Sequence, residues 1–435
     1  MKSPFLVSLI GRVVARASRL RGGHGSALPG LVAERIAPNF LRDVLGRLPR
    51  GVVVVSGTNG KTTTTKMTVE LLRAAGLKVF TNPSGSNFTR GVASSAIAEM
   101  RRGRLDADIA VVELDEAHAV HFVNKIAPKY TLLLNVLRDQ LDRFGEIDTT
   151  ASYLQKVAAA TTDTVILNRE DPRIADITAK KTVFFGYSDA VSQLFPNDDE
   201  LYGLKIARSP KSASIVLEKI DGEKVTFNIG ATRLELRGAH NAFNAAAALA
   251  LVKEILNNHC HSRLDPESSK NRNQILNQVQ NDKIEFDAKK MLAALSDIKP
   301  AFGRGESFSV NGVSLELILV KNPSGFRIVL GSQYNPAALT MIAINDQYAD
   351  GRDVSWLWDV DLSCIKRVAM VSGVRAYDMA LRLGCQNIAI DHVDTDLDTA
   401  LTRFLGDHPG QPKQIFTTYT AMLQMRKVLK KEHKK

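Results

Sequence analysis

Short apolar runs rich in β-branched residues alternate with longer segments of helical period through most of the chain. The runs at 52–56, 78–81, 109–113, 131–135, 164–168 and 182–185 read as strands, with helices at 61–75, 91–101 and 153–160 among them. This alternation predicts a mostly parallel sheet with right-handed crossovers, whose ligand sits beyond the carboxyl ends of the strands. From about 188 to 236 the pattern turns polar and strand-like, a β-rich elaboration. A helix then opens at Gly238-Ala-His-Asn-Ala-Phe-Asn. It runs into 257–283, which is rich in Asn, Gln, Ser and charge, lacks aromatic residues, and reads as an exposed polar insertion. A second α/β pattern starts near 300, with strands at 315–320, 341–344, 367–371, 387–390 and 414–417 and helices at 377–383, 397–405 and 421–431. The expected fold class is therefore α/β: a helical lead over 1–45, a mostly parallel domain over 46–299, and a smaller Rossmann-like domain over 300–435. Chemistry is expected in the cleft between the two domains.

Composition narrows the partners. Hydrophobic content of 44% and charged content of 24% are ordinary for a soluble globular protein. The net charge of +11 favours acidic partners such as nucleotides, nucleic acid or an anionic membrane surface. Part of it is a solvated basic tail (Lys427, Lys430, Lys431, Lys434 and Lys435), and no nucleic-acid-binding motif is present, so nucleic acid is not expected as a partner. Cys260, Cys364 and Cys385 lie far apart and form no C-x-x-C, which favours a reducing compartment and argues against zinc. The apolar run 5–10 hints at a signal peptide, but Arg12, Arg16, Arg19 and Arg21 interrupt it and no small-residue cleavage site follows cleanly. An amphipathic helix is the better reading. No later stretch of about 18 uncharged apolar residues could span a bilayer. A cytoplasmic protein is expected.

The candidate chemistry gathers at strand ends. Val52-Val-Val-Val-Ser-Gly-Thr-Asn-Gly-Lys-Thr-Thr-Thr-Thr65 is a buried strand, a glycine loop and a helix start. Backbone N–H groups of such a loop and of the helix N-terminus cradle phosphate oxygens, with Thr58, Asn59, Gly60 and Thr63 around them. Lys61 would neutralise the β/γ-phosphates and the Thr62 hydroxyl would hold Mg²⁺. The full phosphate-loop pattern needs Gly at 55, where this chain has Val55; the remaining Gly57-x-x-Gly60-Lys61-Thr62 competes with a plain glycine turn. In Val111-Val-Glu-Leu-Asp-Glu116, Glu113 is the candidate Mg²⁺ ligand, while Asp115 and Glu116 fit helix caps.

Further stretches keep two readings each. In 135–146, Arg138 and Arg143 could clamp anions and Asp139 and Asp142 orient them, or all four could pair internally. Asn241 could read an adenine edge or cap a helix; Asn168 could reach a ribose or shape a turn. In the second domain, Phe302-Gly-Arg-Gly-Glu306 and Lys321-Asn-Pro-Ser-Gly325 place Arg304 and Lys321 in glycine loops, as cations for a transferring phosphoryl group or as solvated surface charge. The segment 345–359 combines four Asp with both Trp of the chain, which suggests a shaped site with Asp350 and Asp353 foremost.

Gly57-Thr-Asn-Gly-Lys-Thr62 resembles the phosphate loop of the Mur ligases, which join amino acids to peptidoglycan precursors. The wider set resembles the MurT family, ligase-like subunits of lipid II isoglutaminyl synthase. It comprises Ser86-Asn87 with Arg90-Gly91, Arg138-Asp-Gln-Leu-Asp-Arg143, His240-Asn241, Gly303-Arg304, Asp350-Gly-Arg-Asp-Val-Ser-Trp356, Ser372-Gly-Val-Arg-Ala-Tyr-Asp378 and Tyr419-Thr-Ala-Met422. The resemblance implies a Mur ligase central domain and a MurT-type C-terminal domain. It implies that ATP phosphorylates the α-carboxyl of D-glutamate in the lipid II stem peptide, and that ammonia attacks the acyl phosphate to give D-isoglutamine. The ammonia would come from a GatD-type glutamine amidotransferase subunit in a heterodimer, with lipid II met at the inner membrane face. Lys61, Mg²⁺ and Arg304 would balance phosphoryl charge, and Asp353 or Asp350 would orient or deprotonate ammonia.

The chain also departs from that pattern. Many relatives carry a four-cysteine zinc ribbon; 188–236 has no Cys, so no zinc site is expected. Lys156 does not match the spacing of the carbamylated Lys that Mur ligases often use, and 257–283 is foreign to the family. Competing functions are an amino-acid-adding Mur-like or folylpolyglutamate-type ligase without a glutaminase, and a nucleotide-dependent scaffold. The acid-rich segment with two Trp favours amidation.

Overall fold

The computed structural model describes residues 4–20, 27–82, 87–137, 147–195, 209–236, 238–258, 284–299, 304–310 and 312–432. Two sheets organise the protein. The first contains β1 (Val52–Ser56), β2 (Val79–Thr81), β3 (Ile109–Glu113), β4 (Tyr130–Leu133), β5 (Thr164–Asn168), β6 (Thr182–Tyr187), β7 (Ile215–Asp221), β8 (Lys224–Phe227) and β9 (Gly230–Arg233). Its order is β2-β3-β1-β4-β5-β6-β7-β8-β9, parallel up to β7 and antiparallel through the last three strands. This antiparallel extension, 215–233, falls within the 188–236 stretch read as β-rich.

The four-valine run makes β1 an interior strand of the parallel part, between β3 and β4. Successive side chains of a strand point to opposite faces. Val53 and Val55 therefore pack with Met67, Leu71 and Leu72 of the helix Lys61–Ala74 and with the alanine-rich helix Ala239–Asn257. Val52 and Val54 face the other way, onto Val92, Ala96 and Ile97 of the helix Thr89–Glu99 and onto Phe40 and Leu45. A parallel strand covered on both faces has no polar side, which is why the run is continuously apolar. The N-terminal helices Pro4–Leu20, Leu28–Ile36 and Phe40–Leu45 add to this second layer.

The second sheet contains β10 (Arg304–Val310), β11 (Val313–Leu319), β12 (Leu339–Ala343), β13 (Arg367–Ser372), β14 (Ala389–Asp394) and β15 (Lys413–Thr417). Its order is β10-β11-β15-β12-β13-β14, with only β10 antiparallel. Of two glycine loops expected here, the described part of one, Arg304 to Glu306, is strand, and the other keeps Lys321 in a short loop that runs into a helix. Arg304 begins β10, because the alternation Ser307-Phe308-Ser309-Val310 buries Phe308 and Val310 and returns through a turn at Gly312. Lys321-Asn-Pro-Ser-Gly325 is a helix entrance: Asn322 caps the helix Pro323–Gln333 by accepting from the Gly325 N–H at 2.8 Å, and Pro323 takes the first position. The helix Ala288–Ser296, capped by Asp287, is a further element beyond those expected. The charged stretch 138–146 and residues 259–283 lie outside the described residues.

Candidate active site

A cleft of about 1600 Å³ lies where the carboxyl ends of the first sheet face the second. Its floor is the loop from Gly57 to Gly60. Gly57 has φ 129° and Gly60 φ 88°, conformations that side-chain-bearing residues rarely adopt. A Cβ on Gly57 would meet the Asn135 backbone nitrogen at 2.9 Å, and one on Gly60 would meet Asn244 Oδ1 at 2.5 Å. Both glycines are required by φ, and Gly57 also by the backbone pressed against it.

Asn135, just past β4, holds the loop in shape. Its carbonyl accepts from the Thr58 N–H at 3.0 Å, and its side chain accepts from the Asn59 N–H at 2.8 Å while donating to the Asn59 carbonyl at 3.1 Å. The Thr58 hydroxyl accepts from the Leu137 N–H at 3.1 Å. The Thr58 and Asn59 amides are engaged this way; behind them the helix opens at Lys61, and the positive end of its dipole points at the loop.

The Lys61 ammonium is buried and donates to the Gly57 carbonyl at 2.7 Å and the Thr58 carbonyl at 3.3 Å. It also lies 3.2 Å from Asp115 and 3.6 Å from Glu116. Asp115 occupies the cap position of the helix Glu116–Val123 but makes no cap bond; its carboxylate turns to Lys61 instead. Burial pushes the Asp115 carboxyl up, but the Lys61 and Lys321 charges and hydrogen bonds from Lys61 and Asn87 together bring it below its ordinary value. Beside this group the Thr62 hydroxyl donates to Glu113 Oε1 at 2.9 Å, and Asn87 Nδ2 donates to the same oxygen at 3.0 Å. Asn82 bonds the Glu113 backbone in both directions at 2.9 Å, fixing the strand end. A hydroxyl and a carboxylate held together form a hard-oxygen pair that suits Mg²⁺ completed by phosphate and water oxygens. Among the described residues no group of three or more His, Cys, Asp or Glu is placed to hold a metal ion.

Farther along the floor, Asn168 and Asn241 line the cleft. Asn168 is buried; its Nδ2 donates to the Leu134 carbonyl at 2.7 Å and its Oδ1 accepts from the Glu170 N–H at 2.9 Å. It thus shapes the strand-end turn. Gly238 holds the cap position of the helix Ala239–Asn257, so Asn241 lies inside the first turn rather than capping it. Next to it Tyr187 and Phe195 stack at 4.6 Å, with Phe243 edging both at 5.2 and 5.3 Å. Asp171 also lines this part and accepts from the Val136 N–H at 2.6 Å and from the Arg173 and Ile174 N–H groups. Its burial pushes its pKa up to about 6 against those three bonds.

The opposite wall comes from the second sheet's lobe: Ser307, Phe308, Lys321, Asn322, Tyr348 and Tyr419. Asn59 and Asn322 exchange side-chain hydrogen bonds at 3.3 and 3.1 Å, joining the loop to the cap of the facing helix. Arg304 belongs to β10, the strand that contributes Ser307 and Phe308 to the cleft. Asp350 is buried; it accepts from the Thr420 N–H at 2.8 Å, from the Thr420 hydroxyl and from the Gln347 N–H at 3.2 Å, and burial raises its pKa. Asp353 accepts from the Ser355 N–H at 2.8 Å. Their neighbours Tyr348 and Ala349, rather than these two carboxylates, border the cleft. The two Trp do not line it either. Trp356 is core, packed near Phe326, and Trp358 lies 5.5 Å from the Arg382 guanidinium. Asn135, Asp171, Asn244, Asn322 and the aromatic trio do not stand out in the sequence. Of these, Asp171 and Asn322 carry a local signal, Asp or Asn before Pro at a helix start.

Comparison with known proteins bears on this geometry. A Mur ligase middle domain model matches residues 55–252 and a MurT ligase C-terminal model matches residues 319–422. The MurT subunit of the glutamine-hydrolysing lipid II isoglutaminyl synthase of Streptococcus pneumoniae is 30% identical over 98% of this chain and 97% of its own. The Staphylococcus aureus subunit of the same name is 25% identical over 96% and 95%. Among solved structures, a pseudomurein peptide ligase type C from Methanothermus fervidus superposes with TM-score 0.65 at 18% identity, over 90% of this chain and 81% of that one. MurF ligase of Thermotoga maritima in complex with ADP superposes with TM-score 0.61 at 15% identity, over 92% and 83%. The chain belongs to the MurT family of ATP-dependent Mur ligases.

Proposed function

We propose that this chain amidates the α-carboxyl of D-glutamate in the lipid II stem peptide, using ATP, Mg²⁺ and ammonia delivered by a GatD-type glutaminase partner. The observation that carries the reading is a phosphate loop with Lys61 and the Thr62–Glu113 pair on one wall of a cleft whose other wall is a MurT-type lobe. Thr62 and Glu113 would hold Mg²⁺, which when bound balances phosphate charge. Lys61 would move from its own loop carbonyls onto the β/γ-phosphates, leaving Asp115 and Glu116 to fix its approach. Tyr187, Phe195 and Phe243 offer an apolar seat for the adenine beside Asn241, and Asn168 shapes the ribose end. Transfer of the γ-phosphoryl group to the peptide carboxyl gives an acyl phosphate. Attack by ammonia then forms the C–N bond, expels phosphate and releases a proton, for which Asp353 is the proposed acceptor and Asp350 the alternative. Arg304 and Lys321 would balance charge from the second lobe. The substrate's lipid anchor places the reaction at the inner face of the membrane.

The test supplies the purified chain and its glutaminase partner with lipid II, ATP, Mg²⁺ and glutamine, then reads the stem peptide by mass spectrometry. Carboxyl-to-carboxamide conversion is expected. Addition of a whole amino acid would instead establish the amino-acid ligase alternative.

A further inference from the structure

The helix Pro4–Leu20 has two apolar faces, and only one is covered. Val7, Ser8 and Gly11 pack inward, with Gly11 against Ile97. On the opposite side Phe5, Leu6, Leu9 and Val13 are 51, 48, 51 and 59% exposed. At 3.6 residues per turn these four fall within about 100° of the helix circumference, a continuous stripe. Scattered exposed apolar residues are ordinary; an aligned set on one helix face is not.

Cations surround the stripe. The helix carries no Asp or Glu, and Arg16 is exposed in line with the stripe, about one turn beyond Val13. Arg12 folds onto the Ile97 and Met100 carbonyls, neutral acceptors that leave its positive charge in place. A tight turn places Arg101, Arg102 and Arg104 at the surface, closed by Arg101 N–H to Arg104 C=O at 2.8 Å and its reciprocal at 3.0 Å. Gly103 of this turn abuts Phe5: a Cβ there would stand 3.0 Å from the Phe5 Cβ. The arginine turn and the apolar stripe thus form one continuous surface.

We propose that this surface docks on an anionic phospholipid bilayer, with the helix lying in the headgroup layer. Phe5, Leu6, Leu9 and Val13 reach the acyl boundary, and the guanidinium groups meet lipid phosphates. A cationic rim around an apolar stripe complements that surface at both levels. No described helix is long and apolar enough to cross a membrane, so the contact is peripheral. The lipid-linked substrate proposed above gives this contact its purpose, but vesicle binding is read without substrate. Amidation and docking can therefore fail independently.

The experiment is flotation of the full chain with vesicles of equal parts phosphatidylcholine and phosphatidylglycerol, against phosphatidylcholine alone. The protein floats with the anionic vesicles, less with neutral ones, and salt weakens the binding. Leu9→Asp/Val13→Asp lowers partitioning about tenfold or more, since each side chain loses its apolar transfer energy. Arg101→Gln/Arg102→Gln/Arg104→Gln lowers it about a hundredfold on anionic vesicles only, because each Arg gives up its attraction to the charged surface. Both variants keep ATP turnover on a lipid-free muropeptide, and the second leaves the helix untouched should the first fold poorly. The proposal is overturned if the parent chain stays unbound, or if the arginine variant floats as well as the parent. It is equally overturned if the stripe variant's only change is from dimer to monomer or loss of the glutaminase subunit.

Discussion

Replacing Lys61 by Met keeps the side-chain length and removes the ammonium that four acceptors share: the Gly57 and Thr58 carbonyls, Asp115 and Glu116. Truncating one partner of a fully buried ion pair costs about 3–5 kcal/mol, and an exposed pair is worth about 0–1. Glu116 is buried, but Asp115 is partly exposed and keeps the influence of Lys321, so the expected loss lies between these limits, at about 2 kcal/mol. The loss should depend on pH. In the parent chain Asp115 titrates below its ordinary 3.8, so its pairing contributes stability above that value, lost as pH falls through the lowered folded pKa. Without Lys61, burial dominates and the carboxyl titrates higher, so the mutant regains stability on acidification. The gap between parent and mutant should therefore narrow from pH 7 toward about pH 4. Urea denaturation at several pH values measures this, with Lys61→Met/Asp115→Asn as the partner variant. A gap independent of pH, or one the second substitution leaves unchanged, would refute the assignment of the loss to stranded carboxylates. ATP-dependent turnover should vanish in Lys61→Met at every pH; retained turnover removes the loop from the mechanism.

Thr62→Val removes a hydroxyl bonded to Glu113 while keeping shape, and should raise the Mg²⁺ concentration needed for half-maximal turnover about 10–100-fold in a metal titration. Asp171, raised from 3.8 to about 6, binds a proton in the folded chain that the unfolded chain has released, so stability falls as pH rises across that window. The drop is at most about 3 kcal/mol, and Asp171→Asn should flatten it in denaturation curves taken between about pH 4 and 6. Asp353→Asn should cut amidation while leaving calorimetric ATP affinity intact. Asp350→Ala should instead lower the melting stability by about 1–3 kcal/mol, because the Thr420 and Gln347 N–H groups lose a buried acceptor.

What is legible in the sequence follows from range. The valine run of β1 and the glycine loop behind it are local signals, and both stand where pattern and turn chemistry put them. The strands from 52 to 185 are legible for the same reason: a buried parallel strand is a short apolar run bounded by turns. Arg304 is misplaced in a loop because the glycines beside it outweigh a weaker signal, the Ser-Phe-Ser-Val alternation, whereas Lys321 does lie in a loop, just ahead of the Asn322 cap. The cleft's second tier is out of reach. Asn135 and Asn59 are 76 positions apart, and Asn59 and Asn322 are 263 apart; nothing local to an Asn announces which backbone it will hold. The two Trp mislead in the opposite way: their clustering in sequence reflects packing of one lobe, Trp356 inward and Trp358 beneath Arg382.

The central claim is that a nucleotide held by the Gly57–Thr62 loop activates a stem-peptide carboxyl toward ammonia. Its most direct measurement follows ¹⁸O from a labelled D-glutamate α-carboxyl during turnover with lipid II, ATP, Mg²⁺ and an ammonia source. An acyl phosphate route places one labelled oxygen in the released inorganic phosphate for each carboxamide formed. Carboxamide formed with no label in phosphate, or ATP consumed with the carboxyl unchanged, would contradict it.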